Sequence, residues 1–170
     1  MSFCVPWGTT VSDQVHEGGC LCGAVRFQVL GAPMIVHACH CTICQRRTGS
    51  AFAVNLWIES DKLNLLQGEL ESRTAPGIKA DSPSESWFCR SCGTCLWMHF
   101  AASPARSRFV RAGTLDEPSA FAPDVHIFTS TRQPWVTIPD NVPAFEGFYD
   151  LKSTWPEASR KRLRALMSDR

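Results

Sequence analysis

A pair of cysteines runs directly into an alternating apolar pattern in the stretch Gly19-Cys20-Leu21-Cys22-Gly23-Ala24-Val25-Arg26-Phe27-Gln28-Val29. Val25, Phe27 and Val29 alternate with Arg26 and Gln28, which is typical of a half-buried β-strand that follows a turn. Side chains two residues apart in an extended strand point to the same face, so the two cysteines can point together. The stretch therefore predicts a strand that carries a pair of thiols.

Further short apolar runs predict more strands along the chain. They are Ile35-Val36-His37-Ala38, Ala51-Phe52-Ala53-Val54-Asn55-Leu56-Trp57-Ile58, Ser86-Trp87-Phe88-Cys89, Cys95-Leu96-Trp97-Met98-His99-Phe100 and Val125-His126-Ile127-Phe128-Thr129. Breaks that contain Gly and Pro separate them, and the break at 74–85 is expected to be a surface loop. The body of the protein is therefore expected to be mainly β.

The clearest helix candidate is the end of the chain. Ser153 or Thr154 can cap this helix, and Pro156 lies near its first turn. One face of the helix is apolar, through Leu163, Leu166 and Met167. A run of basic residues in the same segment is expected to form a solvated face, namely Arg160, Lys161, Arg162 and Arg164.

Length and composition favour one domain. The chain has 170 residues and 44% hydrophobic content, which is enough for one core and too little for two ordinary domains. Residues 1–15 show no periodic pattern and are interpreted as an N-terminal extension. We expect the extension over 1–15, a central domain over 16–148 and a helical tail over 149–170.

The charge balance and the cysteine content disfavour several classes of protein, namely those that bind nucleic acid or membrane surfaces and those that are secreted. The sequence has 17 Lys+Arg against 16 Asp+Glu, so neither a nucleic-acid partner nor a membrane surface is expected. A secretory signal pattern and a run of about 18 apolar residues are both missing, which predicts a cytoplasmic protein. In that reducing compartment the nine cysteines are interpreted as metal ligands or reactive thiols rather than disulfides.

Eight of the nine cysteines fall into three clusters: Cys20-Leu21-Cys22, Cys39-His40-Cys41-Thr42-Ile43-Cys44 and Cys89-Arg90-Ser91-Cys92-Gly93-Thr94-Cys95. The C-x-x-C spacing of Cys89 and Cys92 suits a tight metal-binding turn, for which Gly93 supplies backbone freedom. A structural zinc ion takes four thiolates in a tetrahedron. Joining the first pair to the C-x-x-C pair predicts a closed site of Cys20, Cys22, Cys89 and Cys92.

The middle cluster offers three thiolates, Cys39, Cys41 and Cys44, and would leave a zinc ion with one open position, as in catalytic sites. Cys95 is a candidate fourth ligand of this second zinc ion, and its ligation would make both zinc sites purely structural. The other interpretation of Cys95 is a small apolar residue at the start of a strand. Cys4 lies far from every cluster and is interpreted as a free thiol.

Two histidines lie near these motifs. His40 separates two candidate ligands, so its ring is expected to point away from them and to hydrogen-bond around the site rather than to ligate. His126 begins an apolar run, with Arg132 and Trp135 downstream. It is interpreted either as lining a pocket or as a hydrogen-bonded core histidine.

Three motifs in order resemble the glutathione-dependent formaldehyde-activating family, which shares its domain with centromere protein V. They are Gly19-Cys20-Leu21-Cys22-Gly23-Ala24-Val25, Cys39-His40-Cys41-Thr42-Ile43-Cys44-Gln45-Arg46-Arg47-Thr48-Gly49-Ser50-Ala51-Phe52 and Phe88-Cys89-Arg90-Ser91-Cys92-Gly93-Thr94. Later residues also resemble the family: Gly113-Thr114-Leu115-Asp116, His126-Ile127-Phe128, Arg132, Trp135 and Pro143. The similarity extends over residues 15–148, the span of the predicted zinc domain.

This resemblance implies an Mss4-like fold of small antiparallel sheets around two zinc ions. It implies structural ligands at Cys20, Cys22, Cys89 and Cys92, and catalytic-zinc ligands at Cys39, Cys41 and Cys44. It also implies an activity, the addition of the thiol of glutathione to formaldehyde to give S-hydroxymethylglutathione, whose reverse is carbon–sulfur lyase chemistry.

An open zinc site of this kind can accept a substrate thiol and deprotonate it. Glutathione carries two carboxylates, for which Arg46, Arg47 and Arg132 are candidate partners, while His126 is a candidate lining residue. The main alternative is a non-catalytic zinc scaffold that binds a protein partner or carries thiol ligands. A zinc deaminase is disfavoured because its H-x-E and P-C-x-x-C motifs are missing, and a RING or LIM module because two of the cysteine pairs here are C-x-C.

Overall fold

Strands dominate the computed structural model, which describes residues 14–77 and 82–168. The strands are β1 (Val15–Gly19), β2 (Arg26–Leu30), β3 (Ile35–Cys39), β4 (Ala53–Glu59), β5 (Leu63–Gln67), β6 (Leu70–Ala75), β7 (Ser84–Cys89), β8 (Cys95–Phe100), β9 (Ser107–Arg111) and β10 (Val125–Ile127). The α-helices are α1 (Thr42–Thr48), α2 (Leu151–Thr154) and α3 (Glu157–Ser168). Most of the predicted N-terminal extension, including Cys4, lies outside the described residues.

The strands form two sheets. One has three antiparallel strands in the order β1-β2-β5, and the other has seven in the order β10-β3-β4-β9-β8-β7-β6. Within the large sheet every pair is antiparallel except β10 and β3, which are parallel. The prediction of a mainly β protein with a C-terminal helix is confirmed, although one sheet is larger than expected.

The centre of the large sheet is buried on both faces. Neighbouring residues of β4 point to opposite faces, and Leu56 packs with Phe27 of the small sheet while Trp57 packs with Leu163 of α3. The small sheet therefore covers one face of the large sheet, and the C-terminal helix covers the other. In the described part of the chain no helix is long and apolar enough to cross a membrane.

The end of the chain differs from its prediction in two details. Asp150, rather than Ser153 or Thr154, caps a short helix, because its carboxylate accepts from the Ser153 N–H at 3.0 Å. Pro156 then separates α2 from α3, since proline lacks a backbone donor and disfavours helical geometry in the preceding residue. On the predicted apolar face of α3, Leu163 and Leu166 are buried, whereas Met167 is 54% exposed.

The predicted loop at 74–85 is too long at both ends. The first two of these residues end β6 and the last two begin β7, which pair with each other as antiparallel neighbours. Residues 78–81 lie outside the described part of the chain. Because this edge strand is mostly exposed, most of its residues are polar, and β6 therefore lacks the apolar pattern that predicts a strand.

One basic residue of α3 departs from the predicted solvated face. Arg162 makes two 2.6 Å hydrogen bonds to the Glu59 carboxylate, and the two side chains are only 17% and 10% exposed. Its Nη2 also donates to the Ala32 carbonyl at 3.0 Å. Arg162 therefore anchors α3 to the large sheet through a largely buried ion pair.

We expect Arg162→Met to lower the free energy of unfolding by about 3 kcal/mol, because it leaves the Glu59 carboxylate buried without a counter-charge. Urea denaturation followed by circular dichroism measures this change. The matched control is Arg164→Met, since the Arg164–Glu157 pair is exposed and should contribute nothing measurable. Equal effects of the two substitutions would contradict the buried role of Arg162.

Candidate metal centres

The first thiol cluster joins two distant turns. Cys20 and Cys22 lie between β1 and β2, whereas Cys89 ends β7 and Cys92 lies in the turn before β8. All four Sγ atoms lie within 4.8 Å of one another, with 3.5 Å between Cys20 and Cys22 and 3.9 Å between Cys22 and Cys89. A tetrahedral zinc ion with bonds of about 2.3 Å requires sulfur separations of about 3.8 Å. The four thiols therefore fit one tetrahedral metal ion.

The first cysteine pair lies in a turn rather than in the predicted strand. Gly23 has a φ of 75° and its N–H donates to the Cys20 carbonyl at 3.1 Å. Gly93 has a φ of 72° and donates in the same way to the Cys89 carbonyl at 2.9 Å. Only glycine adopts this left-handed conformation without strain, so each glycine closes a turn that presents two thiols.

Hydrogen bonds tie the two turns together and reach the sulfur atoms. The Thr94 hydroxyl accepts from the Leu21 N–H at 3.2 Å and lies 3.1 Å from the Cys92 Sγ. The Val25 N–H donates to the Cys20 Sγ at 3.2 Å. Donors of this kind stabilise thiolates, so the surroundings suit a charged metal site.

The second thiol cluster surrounds the start of α1. Cys39 ends β3, Cys41 is the N-cap of α1 and Cys44 lies in its first turn. Residues three apart on a helix are neighbours, and the Cys44 N–H donates to the Cys41 Sγ at 3.3 Å. The three Sγ atoms lie within 4.8 Å of one another and all three residues are buried. Among the described residues, they form the second group with metal-ligand geometry.

The structure does not bring Cys95 into either group. This half-buried residue begins β8 and lies opposite Phe88 of β7. Among the described cysteine, histidine and carboxylate side chains, none joins Cys39, Cys41 and Cys44 within 4.8 Å. Among the described residues the second group therefore has three protein donors, and a fourth ligand would have to come from elsewhere.

The three buried thiols perturb one another strongly. Hydrogen bonds from Cys39 and Cys44 lower the pKa of Cys41 to about 2. Hydrogen bonds from Cys41 and Cys44, together with burial, raise the pKa of Cys39. The thiols thus compete for a single stabilised negative charge, and a bound cation would let all three ionise. The donor set fits a zinc ion.

A histidine pair lies beside this second cluster. His40 Nε2 and His126 Nδ1 are 2.8 Å apart, and the two buried rings are stacked. Burial, followed by the charges of His126 and Arg132, lowers the pKa of His40 to about 4. Burial and then Arg132 likewise lower the pKa of His126. His126 is thus buried and hydrogen-bonded, as in the second interpretation, and a role in lining the substrate site stays a prediction.

The predicted arginines occupy different surroundings. Arg46 is exposed on the last turn of α1. Arg47 donates to the Ser84 hydroxyl at 2.6 Å, which ties α1 to β7. Arg132 donates to the Val136 carbonyl and its charge acts on the histidine pair.

A buried arginine near the second cluster was missed. Arg111 is 7% exposed. A hydrogen bond with Cys39 and, as a smaller effect, the charge of Arg111 act to lower the pKa of Cys44, whereas the Cys41 hydrogen bond and burial raise it, to about 11 overall. The alternation of side-chain direction along β9 places Arg111 on the same face as Phe109, which packs in the core with the three thiols. In Ser107-Arg108-Phe109-Val110-Arg111 two apolar residues stand side by side, so no alternation indicated this strand or the position of Arg111.

A shallow cavity lies beside α1. The Gln45 amide donates to the carbonyls of His40 at 2.6 Å and Thr131 at 2.8 Å, and it accepts from Gln133 at 2.7 Å. These bonds hold the segment after residue 130 against the helix. The cavity measures about 420 Å³ and is lined by Gln45, Gly49, Ser50, Ala51, Gln133 and Trp135. Trp135 is 74% exposed, so it offers an aromatic surface at this cavity.

Comparison with known proteins finds a matching family, a similar sequence and a similar structure. Residues 15–131 match the family model described as glutathione-dependent formaldehyde-activating enzyme. A curated protein of Halomonas elongata is 31% identical over 135 residues, which cover 72% of this chain and 80% of that protein. Its name describes it as a proposed glutathione-dependent formaldehyde-activating enzyme. A crystal structure of a Rhodobacter sphaeroides protein is 21% identical with a TM-score of 0.45, covering 76% of this chain and 99% of that one.

Proposed function

Because this chain belongs to the glutathione-dependent formaldehyde-activating family, we propose that it is a zinc-dependent enzyme acting on glutathione or a similar thiol. It promotes reversible addition of that thiol to formaldehyde or a related aldehyde, giving S-hydroxymethylglutathione from glutathione and formaldehyde. The reverse cleavage makes it a carbon–sulfur lyase. The observation that carries the proposal is the buried group of three thiols with no fourth protein donor in the described chain.

The two thiol clusters have different roles in this proposal. Cys20, Cys22, Cys89 and Cys92 hold a structural zinc ion, since four protein ligands close the coordination shell. Cys39, Cys41 and Cys44 hold the second zinc ion. When bound there, zinc supplies Lewis acidity at an open position, which binds the substrate thiol and favours its thiolate form.

The chain's own contribution is positioning and exclusion of water. The α1 cap and the end of β3 fix the three cysteines, and burial keeps them dry. In the reaction, the substrate thiol gives up its proton and its sulfur forms a bond to the aldehyde carbon. The carbonyl π-electrons move to oxygen, which takes up a proton, so that no proton is gained or lost overall. Formaldehyde is unhindered, so a held thiolate suffices as the nucleophile.

The cavity beside α1 is the proposed location of the rest of the thiol. Its amide-bearing residues, Gln45 and Gln133, suit a peptide-like molecule, and Trp135 covers one side. Exposed Arg46 lies on the same helix and can pair with a carboxylate. We also place the protein in the cytoplasm, because thiolate zinc sites need reduced cysteines.

We expect the purified protein to contain about two zinc ions per chain and to bind glutathione saturably. Metal analysis and calorimetric titration measure these properties. S-methylglutathione is the matched control ligand, since it keeps the peptide but lacks an ionisable thiol and should not bind. Adduct formation from glutathione and formaldehyde should also be faster than the spontaneous reaction. Two zinc ions without glutathione binding would favour the non-catalytic scaffold.

A further inference from the structure

Arg111 is a buried cation without a counter-ion in the described part of the chain. Its side chain is 7% exposed, and Nη1 donates to the Asn55 Oδ1 at 2.8 Å. Nε and Nη2 are buried and have no hydrogen-bond partner among residues 14–77 and 82–168. A neutral amide does not cancel a charge, and an unpaired buried charge is costly. A negative group near Arg111 would offset this cost.

The register of the large sheet places Arg111 on the same face as the second thiol cluster. Asn55 of β4 lies opposite Arg111 of β9, and Ala53 lies opposite Cys39 of β3. Ala53 and Asn55 are two residues apart and share a face. Phe109, two residues before Arg111, packs in the same core cluster as the three cysteines. The guanidinium and the thiols thus share one buried compartment.

Charge distinguishes the two thiol clusters. Two cysteines of the first cluster, Cys22 and Cys92, are exposed, so solvent screens the charge of a four-thiolate site. All three cysteines of the second cluster are buried. Three thiolates around a divalent ion carry a net charge of about −1, and a thiolate as fourth ligand makes it about −2. Such a buried anionic centre needs an internal cation.

We propose that Arg111, oriented by Asn55, is the counter-charge of the Cys39–Cys41–Cys44 centre and makes that centre select an anionic thiolate as its fourth ligand. This inference deepens the proposed function and rests on it for the identity of the ligand. Arg111 is a positioning residue, because it acts through the charge of the centre. Its two unpaired N–H groups are the donors available to sulfur.

The test uses full-length Arg111→Met loaded with zinc. Competition with a chromophoric chelator should show at least a roughly tenfold loss of affinity at the second site, with a comparable loss in glutathione affinity. Methionine fills the apolar compartment, so the fold should persist in circular dichroism. Arg111→Lys keeps the positive charge and should stay within about threefold of the wild type.

Arg108→Met is the matched control. Arg108 belongs to the same strand but points to the opposite face, where it lies 4.9 Å from the centre of the Trp87 ring. This variant should bind zinc and glutathione like the wild type.

The proposal is overturned if Arg111→Met keeps both affinities, or if Arg111→Lys loses as much zinc affinity as Arg111→Met. If Arg111→Met does not fold, zinc competition with Arg111→Lys alone decides: retained affinity supports the proposal and a tenfold loss rejects it. A wild type that binds zinc but no glutathione would refute the proposed function, while the zinc measurements would still decide the role of Arg111.

Discussion

Cys41→Ser is expected to give a folded protein that has lost one of its two zinc ions and binds glutathione at least about a hundredfold more weakly. Cys41 is one of three donors at the second cluster, and two thiolates do not hold zinc tightly. Serine keeps an acceptor for the Cys44 N–H, so the cap of α1 survives. The substitution therefore isolates the metal-binding role of the sulfur atom.

Metal analysis, circular dichroism and glutathione titration together test this result. A variant that retains two zinc ions would show that the middle cluster is not the second metal site. Loss of folding would show that this site is structural as well as reactive, and would favour the scaffold interpretation.

Cys89→Ser is expected to have the opposite outcome, loss of the folded state together with loss of both zinc ions. Cys89 is 2% exposed and belongs to the cluster that joins the turn after β1 to the turn after β7. Binding of a structural zinc ion contributes about 10–16 kcal/mol, which is comparable to the whole stability of a typical domain. Removing one of its four thiolates should therefore unfold the chain.

Circular dichroism and thermal melting of Cys89→Ser measure the effect. The matched control is Cys95→Ser, which removes a half-buried cysteine that belongs to neither thiol cluster. This control should fold and carry as much zinc as the wild type. A folded Cys89→Ser protein with wild-type stability would contradict the structural role of the first cluster.

The thiol clusters could be predicted because ligand spacing is a local property. Cys39, Cys41 and Cys44 lie within one strand end and one helical turn, so their spacing alone brings them together. The grouping of Cys22 with Cys89 joins residues that are 67 positions apart, yet the need for four ligands pointed to it. Their location in turns was missed, because the C-x-C spacing also fits an extended strand.

The large sheet and its charge network could not be predicted in the same way. Strands β1, β5, β6 and β9 were not predicted, because none of their sequences alternates regularly between apolar and polar residues. Without β9 there was no reason to place Arg111 near the thiols. The roles of the site residues and the division into extension, zinc domain and tail remain predictions.

The two thiol clusters lie on opposite sides of the seven-stranded sheet. Cys20 and Cys89 pack with Leu56, whereas Cys39 and Cys44 pack on the other side with Trp57. In the proposed function, substitutions that adapt the side of Cys39, Cys41 and Cys44 to a different thiol therefore need not disturb the proposed structural zinc site on the other side of the sheet.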